Sequence, residues 1–164
     1  MRRITTNSLV WVLAAAGAAS LAAAAARQAN PGNPPNNPLS ASRVFAYDDM
    51  AAKTAANGAI GRSVFAGTLA TGEAVAVHET MQPAGTVPGP LHVIHHSEVI
   101  VVEEGTIEFE HDGKVERAGP GSIIYVAVGT LHAVKNVSDG PAKYVVIQIG
   151  GDTNKNLPKQ SVSR

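Results

Sequence analysis

The sequence contains no cysteine and few aromatic residues. The lack of cysteine excludes disulfide bonds, thiolate catalysis and cysteine-ligated metal sites. Charged residues make up only 16% of the 164 residues, and the formal net charge is zero. The chain therefore lacks the basic surface that is typical of a nucleic-acid-binding protein. It is rich in glycine and proline instead, and its length suits one turn-rich domain with a core of its own.

Residues 1–26 have the features of a secretory signal peptide. Arg2 and Arg3 precede an uncharged run at 9–26, which ends in the small residues that a signal peptidase requires. We expect cleavage to leave an exported protein, periplasmic or extracellular, without a membrane span. The alternative is an uncleaved anchor, because the run is nearly long enough to cross a bilayer. The paired arginines also resemble a twin-arginine export signal, so the export route stays open.

Two further segments flank the predicted folded domain. Residues 27–43 are rich in proline and asparagine and show no periodicity, which predicts a flexible linker. Residues 151–164 are polar and are predicted to form a C-terminal tail that frays. The domain itself is expected over residues 44–150.

Residues 44–150 alternate short apolar segments with strong turn signals. Residues 44–47 are predicted to form an edge strand, and Asp112 and Gly113 form the two-residue signal of a β-hairpin. Residues 99–102 are apolar on both faces, as in a sheet that is packed on each side. Short strands at regular spacing with turns between them predict an all-β sandwich or barrel.

Histidine and glutamate side chains cluster just before the apolar run at 99–102. His92, His95, His96 and Glu98 all fall between positions 92 and 98. Imidazole and carboxylate groups are ligands for divalent ions, so the cluster predicts a metal site, the alternative being a solvated turn rich in histidine.

The strand predicted at 73–81 contributes a further histidine. Its alternation places His78 with Thr80 on one face and Glu79 on the other. His78 either lines the interior of a barrel or is a structural residue of the strand.

Two stretches resemble the sequence motifs of the cupin family. The first motif is Gly, five residues, His-x-His, three or four residues, Glu, six residues and Gly. His92, Glu98 and Gly105 match it, whereas Ile94 occupies the position of the second histidine.

The second motif is Gly, five residues, Pro-x-Gly, two residues, His, three residues and Asn. Gly121, Gly129, His132 and Asn136 match it, and Ala127 replaces the proline. The resemblance covers residues 64–149 and implies a double-stranded β-helix, the jelly-roll barrel of type-2 cupins, often assembled as a homodimer.

The resemblance also implies one divalent transition metal, which would be iron, manganese, zinc, nickel or copper. Its ligands would be His92, Glu98 and His132, a set that matches the two histidines and one carboxylate of non-haem iron oxygenases. A shift in the loop would let His95 or His96 fill the place left by Ile94. His96 is favoured, because side chains two apart on a strand share a face and His96 then lies beside Glu98.

The leading functional hypothesis is an exported metal cupin that acts on a small organic molecule, as an oxygenase or an isomerase. The metal would serve as Lewis acid or oxygen-activating centre, with Glu98 able to act as a base instead of a ligand. The alternatives are a non-catalytic barrel that binds a small ligand or metal, and a metal-free structural barrel. The fold does not specify a substrate, so the sequence leaves open whether the protein is an enzyme.

Overall fold

The computed structural model describes residues 37–156, which form ten β-strands and two short 3-10 helices. The strands are β1 (Ala52–Thr54), β2 (Ile60–Thr68), β3 (Ala74–Gln82), β4 (His92–Val93), β5 (Ser97–Glu104), β6 (Ile107–His111), β7 (Lys114–Ala118), β8 (Ile123–Val126), β9 (Leu131–Asn136) and β10 (Ala142–Ile149). The 3-10 helices span Tyr47–Asp49 and Gly151–Asn156. The all-β prediction is confirmed. The predicted signal peptide at 1–26, residues 27–36 of the linker and residues 157–164 lie outside the described residues.

The strands form two antiparallel sheets. The larger sheet has the order β1-β2-β3-β10-β5-β8, and the smaller has the order β4-β9-β6-β7. The last strand, β10, therefore lies in the middle of the larger sheet and pairs with both β3 and β5. Side chains from both sheets meet in one hydrophobic core. No helix within residues 37–156 is both long enough and apolar enough to cross a membrane.

Strand β5 shows how the sequence pattern positions the core. Glu98, Ile100 and Val102 are buried, and the intervening Val99 and Val101 are half-buried. Successive side chains of a strand point to opposite faces, so the first three face the interior and the two valines face outward. One strand thus places a carboxylate and two core residues in a single row.

The hydrophobic core fills the part of the interior next to this row. Its buried members are Ile94, Ile100, Val102, Ile107, Phe109, Ala118, Val126, Ala142, Tyr144 and Val146. Ile94, at the position where the motif has a histidine, belongs to this cluster. Its side chain is therefore stabilised by apolar burial.

The predicted hairpin turn at Asp112 and Gly113 is confirmed. Both residues have positive φ angles, 47° and 73°, and they connect the paired strands β6 and β7. Two consecutive positive φ angles are typical of the type I′ turn, whose twist matches that of the flanking strands. Glycine adopts this conformation without steric cost, which explains the residue pair.

The two ends of the described chain differ from the prediction. Residues 44–46 form no strand. Phe45 packs instead on Phe65 of β2 with ring centroids 4.9 Å apart. Contacts with the domain begin earlier than residue 44, because the Asn37 side-chain amide donates to the Thr68 carbonyl at 2.6 Å. Beyond β10, residues 151–156 form a 3-10 helix that packs on the loop containing His95, in contrast to the fraying expected there.

Candidate functional site

A cavity of about 340 Å³ opens beside the hydrophobic core and receives side chains from both sheets. Most of its polar wall comes from β3, β5 and β10 on one side and from β4 and β9 on the other. The titratable or hydrogen-bonding side chains that matter most for its chemistry are His78, His92, Glu98, His132, Tyr144 and Gln148.

His92 and His132 face each other across the pairing of β4 with β9. Their ring centroids are 4.5 Å apart. The Nδ1 atom of His92 lies 3.3 Å from the Pro90 carbonyl oxygen, and that of His132 lies 3.2 Å from the Thr130 carbonyl oxygen. A carbonyl oxygen only accepts hydrogen bonds, so each Nδ1 carries a hydrogen and Nε2 is the nitrogen left to contact a ligand. Backbone anchoring of this kind is typical of histidines that ligate metals.

Glu98 lies at the start of β5, with its carboxylate buried at the cavity wall. The amide of Gln148 donates to its Oε1 atom at 3.1 Å, and the Nε2 atom of His96 lies 2.9 Å from the same oxygen. The other oxygen, Oε2, lies 3.7 Å from Nε2 of His132. One carboxylate oxygen is therefore held by the protein, and the other is directed towards the histidine pair.

His96 is buried and lies behind Glu98, and it is not part of the cavity wall. Its Nδ1 atom lies 2.6 Å from Oδ1 of Asp152, so both ring nitrogens contact carboxylates. Burial lowers the pKa of His96. The hydrogen bonds and negative charges of Asp152 and Glu98 outweigh that effect, and the pKa is raised overall.

His78, His132 and Tyr144 favour their neutral forms. Burial lowers the pKa of His78 and of His132 below the ordinary value. Burial also raises the pKa of Tyr144 to about 12. Desolvation penalises the charged form of each group, so these side chains are neutral at pH 7 and offer lone pairs or a hydroxyl to a ligand.

Three of the predicted ligands, His92, Glu98 and His132, meet at this cavity. Within residues 37–156, however, no three His, Asp or Glu side chains form a ready-made metal-binding group. The donor chemistry still suits a divalent transition metal, because two imidazole Nε2 atoms and one carboxylate oxygen are the available donors. The ligand set, His96 included, stays a prediction, and the two carboxylate contacts of His96 favour a supporting position for it.

Sequence reasoning missed Asp152, which was assigned to a fraying tail, and gave no role to Gln148. Alternation along β3 placed His78 and Glu79 on opposite faces and left open which face is the inner one, and the structure places His78 at the cavity wall. Gln148 follows the same rule on β10, where it pairs with Glu98 of β5. No sequence signal pointed to Asp152, because its contact with His96 joins residues far apart in the chain.

Comparison with known proteins identifies the fold. No curated protein matches the chain. Among solved structures, an RmlC-like cupin from Shewanella frigidimarina is 17% identical with a TM-score of 0.54, covering 66% of this chain and 91% of its own. KdgF from a Halomonas species is 16% identical with a TM-score of 0.56, covering 66% and 94%. The polyketide cyclase RemF from Streptomyces resistomycificus is 19% identical with a TM-score of 0.53, covering 66% and 80%. Identities this low show a shared fold only.

The sequence itself matches the family model described as the Cupin domain over residues 77–148. That range runs from β3 to β10 and includes every cavity side chain named above. The jelly-roll barrel expected from the two motifs is confirmed by this match together with the solved structures. Over residues 77–148 the chain is therefore similar to the cupin domain, and it shares the cupin fold.

Proposed function

We propose that the protein binds one divalent transition metal through His92, Glu98 and His132 and acts on a small organic molecule in the adjoining cavity. The observation that carries this proposal is the convergence of the three side chains on one cavity, with both imidazoles anchored through Nδ1. A bound metal would supply a Lewis acid, or an oxygen-activating centre if it were iron.

The residues around the proposed ligands suit a small and largely uncharged partner. The cavity has room for a small molecule, and no Lys or Arg from residues 37–156 lines it. The lining of His78, Thr80 and Tyr144 offers neutral hydrogen-bonding groups, since burial keeps His78 and Tyr144 uncharged. A substrate would therefore be oriented by hydrogen bonds and apolar contact, with any negative charge directed to the metal.

Metal analysis of the full-length chain, purified without added metal, tests the proposal. We expect near-equal amounts of metal and protein for the wild type and little metal in His132→Ala, since that change removes a ligand. His111→Ala is the matched control, because His111 lies outside the cavity and contacts Glu116 on the neighbouring strand. Absence of metal from the wild type, even after reconstitution, would overturn the proposal.

A second function is favoured by the way Glu98 is already held. Its Oε1 is already held by two protein groups, His96 and Gln148, and the residues from 37 to 156 contain no ready-made three-ligand group. In this alternative the barrel binds a small molecule without metal, and Glu98 accepts or donates a proton. Wild-type protein that stays metal-free yet stabilises on binding a small molecule would favour it.

Two broader predictions also belong to the proposal. Export is supported by residues 1–26, and the N-terminal sequence of protein recovered from outside the cytoplasm would show whether cleavage follows residue 26.

A homodimer is supported by the family resemblance and by Ile123 and Tyr125, which are 70% and 67% exposed on strand β8. Light scattering of wild type and Tyr125→Glu measures whether that surface joins two copies.

A further inference from the structure

We propose that Asp152, on the 3-10 helix after the last strand, is a positioning residue that holds Glu98 towards the cavity through His96. The inference rests on the proposed function only for its metal readout, because the contacts themselves do not require a metal. It gives the C-terminal turn a part in the site, although residues 151–156 lie beyond the barrel strands and beyond the matched cupin domain.

The three side chains form a continuous hydrogen-bonded chain. Oδ1 of Asp152 lies 2.6 Å from Nδ1 of His96, and Nε2 of His96 lies 2.9 Å from Oε1 of Glu98. Carboxylate oxygens accept, so both ring nitrogens of His96 donate. The side chains of His96 and Glu98 are 11% and 8% exposed, so little water reaches the bond between them, and the Asp152 side chain is 24% exposed. A ring held at both ends cannot rotate without breaking one of two charge-assisted bonds.

The backbone fixes Asp152 directly against the histidine loop. Its amide donates to the His95 carbonyl at 3.1 Å, and the Gly150 amide donates to the Ala74 carbonyl at 2.8 Å. Gly151 has a φ of +51°, and a Cβ atom at this position would overlap the same His95 carbonyl oxygen. Only glycine allows the turn to approach so closely, and this approach brings the Asp152 carboxylate within reach of His96.

The contacts of His96 determine which carboxylate oxygen of Glu98 faces the cavity. Oε1 is held by His96 from one side and by Gln148 from the other. Oε2 is then left 3.7 Å from Nε2 of His132. Loss of Asp152 would free the His96 ring, and Glu98 would lose one of the two contacts that set its rotation. Partners that orient a ligand in this way typically contribute about 10–100-fold to metal affinity.

Two measurements on the full-length chain test the inference. The first is proton NMR of the His96 ring, whose hydrogen-bonded N–H signals are identified by their loss in His96→Gln. The second is Co²⁺ affinity, followed by the absorbance of the bound ion. The variants are Asp152→Ala, the conservative Asp152→Asn, which keeps an oxygen acceptor, and Asp139→Ala, which removes an exposed carboxylate from the turn before β10.

We expect Asp152→Ala to lose the Nδ1–H signal and to weaken Co²⁺ binding about 10–100-fold. Asp152→Asn should retain the signal and most of the affinity, and Asp139→Ala should match the wild type. Equal Co²⁺ affinity in the wild type and Asp152→Ala would overturn the inference. If the wild type binds no Co²⁺, the proposed metal function fails, and the NMR result alone decides whether Asp152 positions His96. A retained Nδ1–H signal of His96 in Asp152→Ala would then overturn the positioning role of Asp152 as well.

Discussion

Two buried glutamates on the larger sheet lie in opposite electrostatic surroundings. Glu79 of β3 is 7% exposed, and its carboxylate lies 2.9 Å from Nζ of Lys143 and 3.6 Å from the Arg62 guanidinium. Glu98 of β5 is 6% exposed, but its nearest partners are imidazole and amide groups. The first faces the outside of the barrel, and the second faces the cavity.

The difference separates a structural carboxylate from an available one. The cations beside Glu79 are permanently charged at neutral pH, and the Tyr47 ring lies over both, 4.6 Å from Arg62 and 5.0 Å from Lys143. The charge of Glu79 is therefore balanced within the protein. No Lys or Arg contacts Glu98 among residues 37–156, so its charge is stabilised only by hydrogen bonds and titratable rings. Such a carboxylate can accept an incoming cation or proton.

The largest expected effect is on metal affinity. Replacing Glu98 with Gln removes a proposed ligand and should weaken Co²⁺ binding more than ~100-fold, since loss of a supporting residue alone costs up to that much. Glu79→Gln should leave the affinity within about threefold of the wild type, because Glu79 lies on the other face of the sheet. Titration of both variants with Co²⁺ measures the contrast, and equal losses would remove the distinction between the two carboxylates.

For stability, the two variants should rank in the opposite order, with Glu79→Gln showing the larger loss. We expect Glu79→Gln to lower the free energy of unfolding by about 2 kcal/mol, because it leaves Lys143 and Arg62 close together without their shared anion. Glu98→Gln should cost less than about 1 kcal/mol, since glutamine keeps an oxygen that accepts from His96. Urea denaturation of the metal-free proteins gives both values. A greater loss of unfolding free energy in Glu98→Gln than in Glu79→Gln would contradict the structural role assigned to Glu79.

The smallest expected effect is on the pKa of Lys143. The hydrogen bond to Glu79 raises the pKa of Lys143 above its ordinary value of 10.5, against the opposing effect of burial, and the contact with Glu103 adds to the increase. Protonated Lys143 therefore stabilises the fold fully below pH 10.5, and this contribution is lost as the pH rises through the raised pKa. In Glu79→Gln the pKa should fall, and in Glu98→Gln it should not change. An NMR titration of the Lys143 side chain measures both.

The larger part of the barrel could be predicted from the sequence because its signals are local. Alternation along the strands placed His78 and Glu79 on opposite faces, and the turn at Asp112 and Gly113 was visible as a residue pair. The spacing of the two motifs brought Glu98 and His132 to one cavity. Each of these inferences needed only residues within one strand or one turn, apart from the family resemblance that joined the motifs.

The environment of Glu98 could not be predicted, because it depends on contacts between distant parts of the chain. His96 was expected beside Glu98, and it is. The polar composition of the C-terminal residues hid the return of Asp152 to the His96 ring. The predicted edge strand at 44–47 failed for a related reason. The Phe45 ring packs on Phe65 of β2, and the half-exposed Tyr47 ring lies against Arg62 of β2 and Lys143 of β10, so tertiary contacts overrode the local preference for a strand.

The central place of β10 has a consequence for how the protein is made. Strands β3 and β5 leave the ribosome long before residues 142–149, yet neither has its full set of partners until those residues arrive between them. The larger sheet thus cannot be completed before β10 is synthesised, and the pairings of β10 join positions that are far apart in sequence. Completion of this sheet is then a comparatively slow event, and the nascent polypeptide exposes an edge of β3 and an edge of β5 until residues 142–149 are synthesised.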